Sequence, residues 1–128
     1  MIVGIGMDLV EISRIEAALA RHGERFAERI LTEKELRRFR SHAKPAAYLA
    51  KRFAAKEAFS KAMATGMRWP VSWRNIGVVN HPSGCPCFDL APELEALVRE
   101  RGITGMHVSI TDERSMAAAY VILEGRTP

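Results

Sequence analysis

Glu57 and Lys61 are the residues whose types and spacing most invite chemistry. They stand four apart inside the longest helical pattern of the chain, which begins at Lys44-Pro45, runs to Thr65 and is closed by Gly66. At 100° per residue, Ala46, Ala50, Phe53, Lys61 and Ala64 fall within about 40° of Glu57, and Ala54 and Ser60 flank them. On an exposed helix such a pair is solvated and worth roughly 0.2–0.5 kcal/mol. Among alanines and a phenylalanine, the stripe is expected to face the interior or another subunit. A carboxylate buried there without a strong partner costs several kcal/mol or takes up a proton. A metal ion would offset that cost.

Asp8 is the natural second carboxylate. Residues 2–9 alternate as a strand, with Val3, Ile5, Met7 and Leu9 on one face and Ile2, Gly4, Gly6 and Asp8 on the other. Two glycines beside Asp8 mark a place where a ligand or another backbone comes close. Two carboxylates with open positions suit magnesium, which takes oxygen ligands, keeps several waters and often binds substrate phosphates. Lys61 would contact the same phosphates as a point charge. The pattern by itself leaves a surface ion pair and a metal site both open.

Several elements must position these groups. Ser13 with Glu16 predicts a capped helix ending near Gly23, and Thr32 with Glu35 predicts a second capping box opening an Arg- and Lys-rich helix. Ile76–Asn80 reads as a strand, His81-Pro82-Ser83-Gly84 as a turn, and Cys85–Leu90 as the returning strand. A helix over Pro92–Arg101, closed by Gly102, precedes strands at Met106–Thr111 and Met116–Leu123. This order predicts an α+β fold with a small antiparallel or mixed sheet packed by a long central helix, and argues against repeated βαβ units. No linker or repeat divides the chain, so residues 1–128 are expected to form one domain.

Charge and composition narrow the partners. Between Arg14 and Lys61 there are 13 Lys and Arg against 6 Asp and Glu, whereas the remainder has 6 against 9. A concentrated positive field attracts phosphates, nucleic acid or an acidic protein. No apolar run approaches the ~20 residues of a membrane span. The N-terminus reads as a strand and not as a signal peptide. Cys85 and Cys87, one residue apart, read as reduced thiols of a cytoplasmic protein. His107 shares a strand face with Ser109 and Thr111 and is weak evidence of chemistry alone. A basic nucleic-acid-binding module is the competing reading, motivated by a pI near 9.4 and the Arg-rich 34–44 segment. No stacking motif or recognition helix supports it. Steep, salt-sensitive binding to random duplex DNA would favour it. A catalytically silent binding scaffold is argued against by Asp8, Glu57 and Lys61.

Three segments carry a resemblance. Gly4-Ile5-Gly6-Met7-Asp8-Leu9-Val10-Glu11-Ile12, with Arg14-Ile15 after it, resembles the opening motif of the holo-acyl-carrier-protein synthases, the short trimeric 4′-phosphopantetheinyl transferases. Arg52-Phe53-Ala54-Ala55-Lys56-Glu57-Ala58-Phe59-Ser60-Lys61-Ala62, followed by Thr65-Gly66, resembles their second signature. Met106–Arg114 and Ala117-Ala118-Ala119 are similar to their closing strands. The resemblance implies transfer of 4′-phosphopantetheine from coenzyme A to a serine of apo-acyl carrier protein, with release of adenosine 3′,5′-bisphosphate, in fatty acid biosynthesis. It implies Asp8 and Glu57 as magnesium ligands, and Lys61, Gly66 and His107 in contact with coenzyme A. Arg14, Arg21 and Arg25 would dock the acidic carrier protein, and the sites would lie between the subunits of a homotrimer. The serine proton would go to Glu57 or to a metal-held water. One departure stands out: Cys85-Pro86 replaces the Lys-Pro usual in the family after Gly84.

Overall fold

The alternation at the N-terminus becomes strand β1 (Ile2–Glu11), which passes straight into helix α1 (Ile12–His22) in a computed structural model describing residues 1–126. The expected Ser13–Glu16 capping box does not form. The helix begins one residue earlier, and Glu11, at its N-cap, makes no side-chain cap bond. The backbone N–H of Ile12 donates instead to the Ser115 carbonyl at 2.8 Å, so contact with the far end of the chain sets this boundary. Gly23, at φ 66°, turns the chain into α2 (Glu24–Ile30), a short helix that the sequence reading lacked. The second capping box is real. Thr32 and Glu35 exchange backbone-to-side-chain bonds of 2.9 and 3.2 Å at the start of α3 (Glu33–Ser41).

Helix α4 (Pro45–Ala62) runs through the centre. Tyr48, Leu49, Ala50, Ala54, Ala55, Ala58, Phe59 and Ala62 are all buried, so apolar contact surrounds it on most sides. The Glu57 stripe is only partly covered. Ala50 is fully buried, Phe53 and Glu57 are half-buried, and Lys61 and Ala64 are exposed. The stripe expected to face the interior or another subunit therefore packs inward at Ala50 and opens to the surface toward the end of the helix.

A hairpin of β2 (Ile76–Asn80) and β3 (Pro86–Leu90) follows, then α5 (Pro92–Glu100), β4 (Ile103–Asp112) and β5 (Met116–Gly125). The three long strands form an antiparallel sheet in the order β1-β5-β4, and β2-β3 is a separate antiparallel pair. The α+β expectation holds, and both sheets are antiparallel. Gly4 and Gly6 fix how α4 meets β1. A Cβ at Gly6 would stand 1.9 Å from the Ala58 carbonyl oxygen, and one at Gly4 would stand 2.2 Å from that of Ala62. The close approach signalled by these glycines is thus the helix backbone, and Asp8, next on the same strand face, is carried up against α4. On the opposite face Ile5, Met7 and Leu9 are 54%, 53% and 57% exposed, beside exposed Tyr120 on β5. That apolar face has no cover among the described residues.

The far side of α4 is held by a buried ion pair. Lys56 Nζ donates to Glu35 Oε1 at 2.6 Å and to the carbonyls of Ile30 and Trp73 at 2.6 and 2.9 Å. Glu35 also accepts from the backbone N–H of Val78 at 2.7 Å. Both side chains are almost fully buried, and every donor of the ammonium is used. The pair ties α4 to α3, to the end of α2, to the segment before β2 and to β2 itself. Burial pushes the Lys56 ammonium down to about 8, with Glu35 pulling the other way.

Candidate active site between the first strand and the long helix

Because β1 and α4 touch backbone to backbone, three charged side chains converge at their junction. Asp8, with its side chain 15% exposed, comes from β1; Glu57 and Lys61 come from successive turns of α4. Lys61 does not pair with Glu57, its neighbour four residues back. Its ammonium reaches across to Asp8 Oδ1 and to the Met7 carbonyl, both at 3.0 Å. The Glu57 carboxylate has no hydrogen-bond or ion-pair partner among the described residues. Burial, and then the charge of Asp8, raise its pKa above the ordinary glutamate value, while Lys61 lowers it by less.

Asp8 and Glu57 open on a cleft of about 340 Å³ lined also by Val10, Arg14, Ile15, Phe26 and Phe53, among others. Phe53 is held by stacking on Trp73 at 4.9 Å, and the Trp73 carbonyl is one of the three acceptors of Lys56. The wall of the cleft is therefore fastened to the buried ion pair. Neither this wall nor the second task of Glu35 was foreseen from sequence. A lysine next to Glu57 in an alanine-rich helix was the only available signal.

The other expected residues are spread more widely. Arg14 on α1 lines the same cleft as Asp8 and Glu57. Arg21 and Arg25 are exposed where α1 ends and α2 begins. Gly66 lies beyond α4 at φ 64°, a conformation that favours glycine. His107 is not brought to the junction within one chain. It sits on the outer sheet face, in register with Ile122, and contacts Glu124 at 2.5 Å. Cys85, where the family usually has lysine, is exposed and free. A further cleft of about 470 Å³ gathers Lys34, Arg38, His42, Lys51 and Arg52. Arg52 is buried there against the Tyr48 ring, and its Nε finds no partner.

The donor set fits a hard divalent cation. One carboxylate is unpartnered, a second faces it, and among the described residues no cluster of three His, Cys, Asp or Glu side chains is placed to hold a metal. A site with so few protein oxygens suits an ion that keeps water and substrate oxygens in its shell.

The family model for the 4′-phosphopantetheinyl transferase superfamily matches residues 4–119, a span that contains Asp8, Glu57 and Lys61. The chain belongs to this superfamily. A relative from Thiobacillus denitrificans, a holo-[acyl-carrier-protein] synthase, is 53% identical over 97% of this chain and 95% of its own length. Among solved structures, the holo-[acyl-carrier-protein] synthase of Neisseria meningitidis superposes with a TM-score of 0.94 at 47% identity, covering 97% of this chain and 99% of that one. The synthase of Bacillus anthracis, solved in complex with CoA (3′,5′-ADP), gives a TM-score of 0.80 at 38% identity, covering 98% and 99%. As a phosphopantetheinyl transferase fold, the chain thus has its paired carboxylates in a superfamily whose chemistry is transfer of a phosphate-linked group.

Proposed function

We propose that the protein transfers the 4′-phosphopantetheine group of coenzyme A to a serine of apo-acyl carrier protein, releasing adenosine 3′,5′-bisphosphate, as a step of fatty acid biosynthesis in the cytoplasm. The observation that carries this reading is the unpartnered Glu57 facing the Asp8–Lys61 pair inside the matched superfamily span. Asp8 and Glu57 would hold a magnesium ion. When bound, that ion neutralises charge on the pyrophosphate oxygens and makes the nucleotide a better leaving group.

The chain's own residues account for the rest. The serine hydroxyl attacks the phosphorus that bears pantetheine, and the bond to the nucleotide phosphate breaks. The serine proton goes to Glu57 or to a water; of the two carboxylates, Glu57 is the one without a hydrogen-bond or ion-pair partner among the described residues. Lys61 supplies a positive charge for oxygens that become more negative as the bond breaks. Arg14 brings one docking charge to the cleft rim, with Arg21 and Arg25 further along the same surface. The cleft around Arg52, where Lys34, Arg38 and Lys51 outnumber the single carboxylate of Glu35, suits an anionic end of the donor.

Residues 1–128 act in this reading as one transferase unit within a homotrimer. The uncovered face of Ile5, Met7, Leu9 and Tyr120 supports a subunit contact, and His107 lies on that same face. A site completed by a neighbour would let His107 and Gly66 touch coenzyme A from different chains. No helix among the described residues is long and apolar enough to cross a membrane. The test is release of adenosine 3′,5′-bisphosphate from coenzyme A, followed by chromatography. Release that requires apo-carrier and magnesium is expected; no release with any bacterial apo-carrier would overturn the reading.

A further inference from the structure

We propose that Lys61 is the resident counter-ion of Asp8 in the metal-free protein and is exchanged for the divalent cation when that ion binds. The inference rests on the metal reading above and adds a role for Lys61 before substrate arrives. Three observations carry it. Lys61 bypasses Glu57, its helical neighbour, and spends its donors on Asp8 Oδ1 and the Met7 carbonyl, each at 3.0 Å. Asp8 is the more enclosed group of the pair, 15% exposed against 51% for Lys61, so it is the carboxylate that needs a cation at hand. Glu57, which has no hydrogen-bond or ion-pair partner among the described residues, is the other carboxylate of the same site.

Charge counting then gives the direction of exchange. Asp8, Glu57 and Lys61 together carry one net negative charge, which keeps the strand–helix junction from holding two bare carboxylates. A divalent ion between the carboxylates turns that into one net positive charge and sets a second cation beside the ammonium. The half-exposed lysine stem lets Nζ swing outward toward solvent without disturbing the helix. The released ammonium is then free for an incoming phosphate, so the same event that loads the ion arms Lys61 for the donor. The ion and Lys61 therefore compete for Asp8 although both serve the reaction.

The experiment is titration of the substrate-free protein with Mn²⁺, reading the unbound ion by its electron paramagnetic resonance signal. Wild type, Lys61→Met, Lys61→Arg and Asp8→Asn are compared, with far-UV circular dichroism confirming that each is folded. Removing a pair of this exposure should tighten Mn²⁺ binding by about two- to fivefold in Lys61→Met. Lys61→Arg, which keeps the charge, should stay at the wild-type affinity, and Asp8→Asn should lose the site. Binding by Lys61→Met that is unchanged or weaker, with Asp8→Asn still losing the site, would overturn the exchange and leave the metal reading standing. Absence of Mn²⁺ binding in wild type, or full binding in Asp8→Asn, would overturn both.

Discussion

Adding one methyl group at Gly6 should damage both stability and transfer. A Cβ there would lie 1.9 Å from the Ala58 carbonyl oxygen and 2.7 Å from the Ala62 nitrogen, whereas ordinary contact begins at 3.4 Å. The helix backbone would have to retreat by about 1.5 Å at this point. It is poorly placed to do so, because Lys56 pins the opposite side of α4 to Glu35, Ile30 and Trp73. Overpacking against fixed backbone costs typically ~1–3 kcal/mol, and two fixed sides put Gly6→Ala at or above the upper end. Whatever retreat occurs separates Asp8 from Glu57 and Lys61, and misplacement of about 1 Å is enough to lower a rate on the order of 100-fold. Urea denaturation reads the first effect, and initial rates of carrier modification at saturating coenzyme A read the second. A Gly6→Ala protein within about 0.5 kcal/mol of wild type and with full turnover would refute the idea that this contact sets the site.

Three further outcomes follow from the same geometry. Glu57 has a folded-state pKa above its unfolded value, so the folded protein holds the extra proton between the two. Metal-free stability should therefore fall as pH rises from the ordinary glutamate range through the raised value, and Glu57→Gln should flatten that decline in urea titrations with chelator present. Lys56→Met or Glu35→Gln alone should cost about 3–5 kcal/mol by stranding a buried charge, while Lys56→Met combined with Glu35→Gln should cost much less than the sum; additive losses in denaturation would contradict the pairing. Reversing charge at Arg21 and Arg25 should slow association with the acidic carrier and weaken its salt dependence, with KM for coenzyme A unchanged. Equal effects on both substrates would remove these residues from a docking role.

Much of this site could be read from residue types alone. Two glycines preceding Asp8 on one strand face announced a close approach, and what approaches is the backbone at Ala58 and Ala62. Thr32 and Glu35 announced a capping box, and it forms. The failures have tertiary causes. Ser13 offered a local cap, but the strand runs directly into α1 and Ile12 bonds to Ser115, a partner about a hundred residues away in sequence. Helical geometry shows which residues share the Glu57 face but not how far the fold covers that face. Here the fold covers Ala50 and leaves Glu57 half-buried and Lys61 exposed. Glu35 looked fully occupied as a cap, and only the packing of α3 on α4 reveals that it also holds Lys56. Strand alternation places His107 on a face with Ser109, and within one chain that face lies on the side of the sheet away from Asp8.

The central claim is that Asp8 and Glu57, brought together by the contact of β1 with α4, make this chain a phosphopantetheinyl transferase. The most direct test is the intact mass of a bacterial apo-acyl carrier protein after incubation with the protein, coenzyme A and magnesium, beside parallel reactions using Glu57→Gln. The carrier should gain the mass of one phosphopantetheine with wild type and stay unmodified with folded Glu57→Gln. An unchanged carrier in the wild-type reaction, or complete modification by Glu57→Gln, would contradict it.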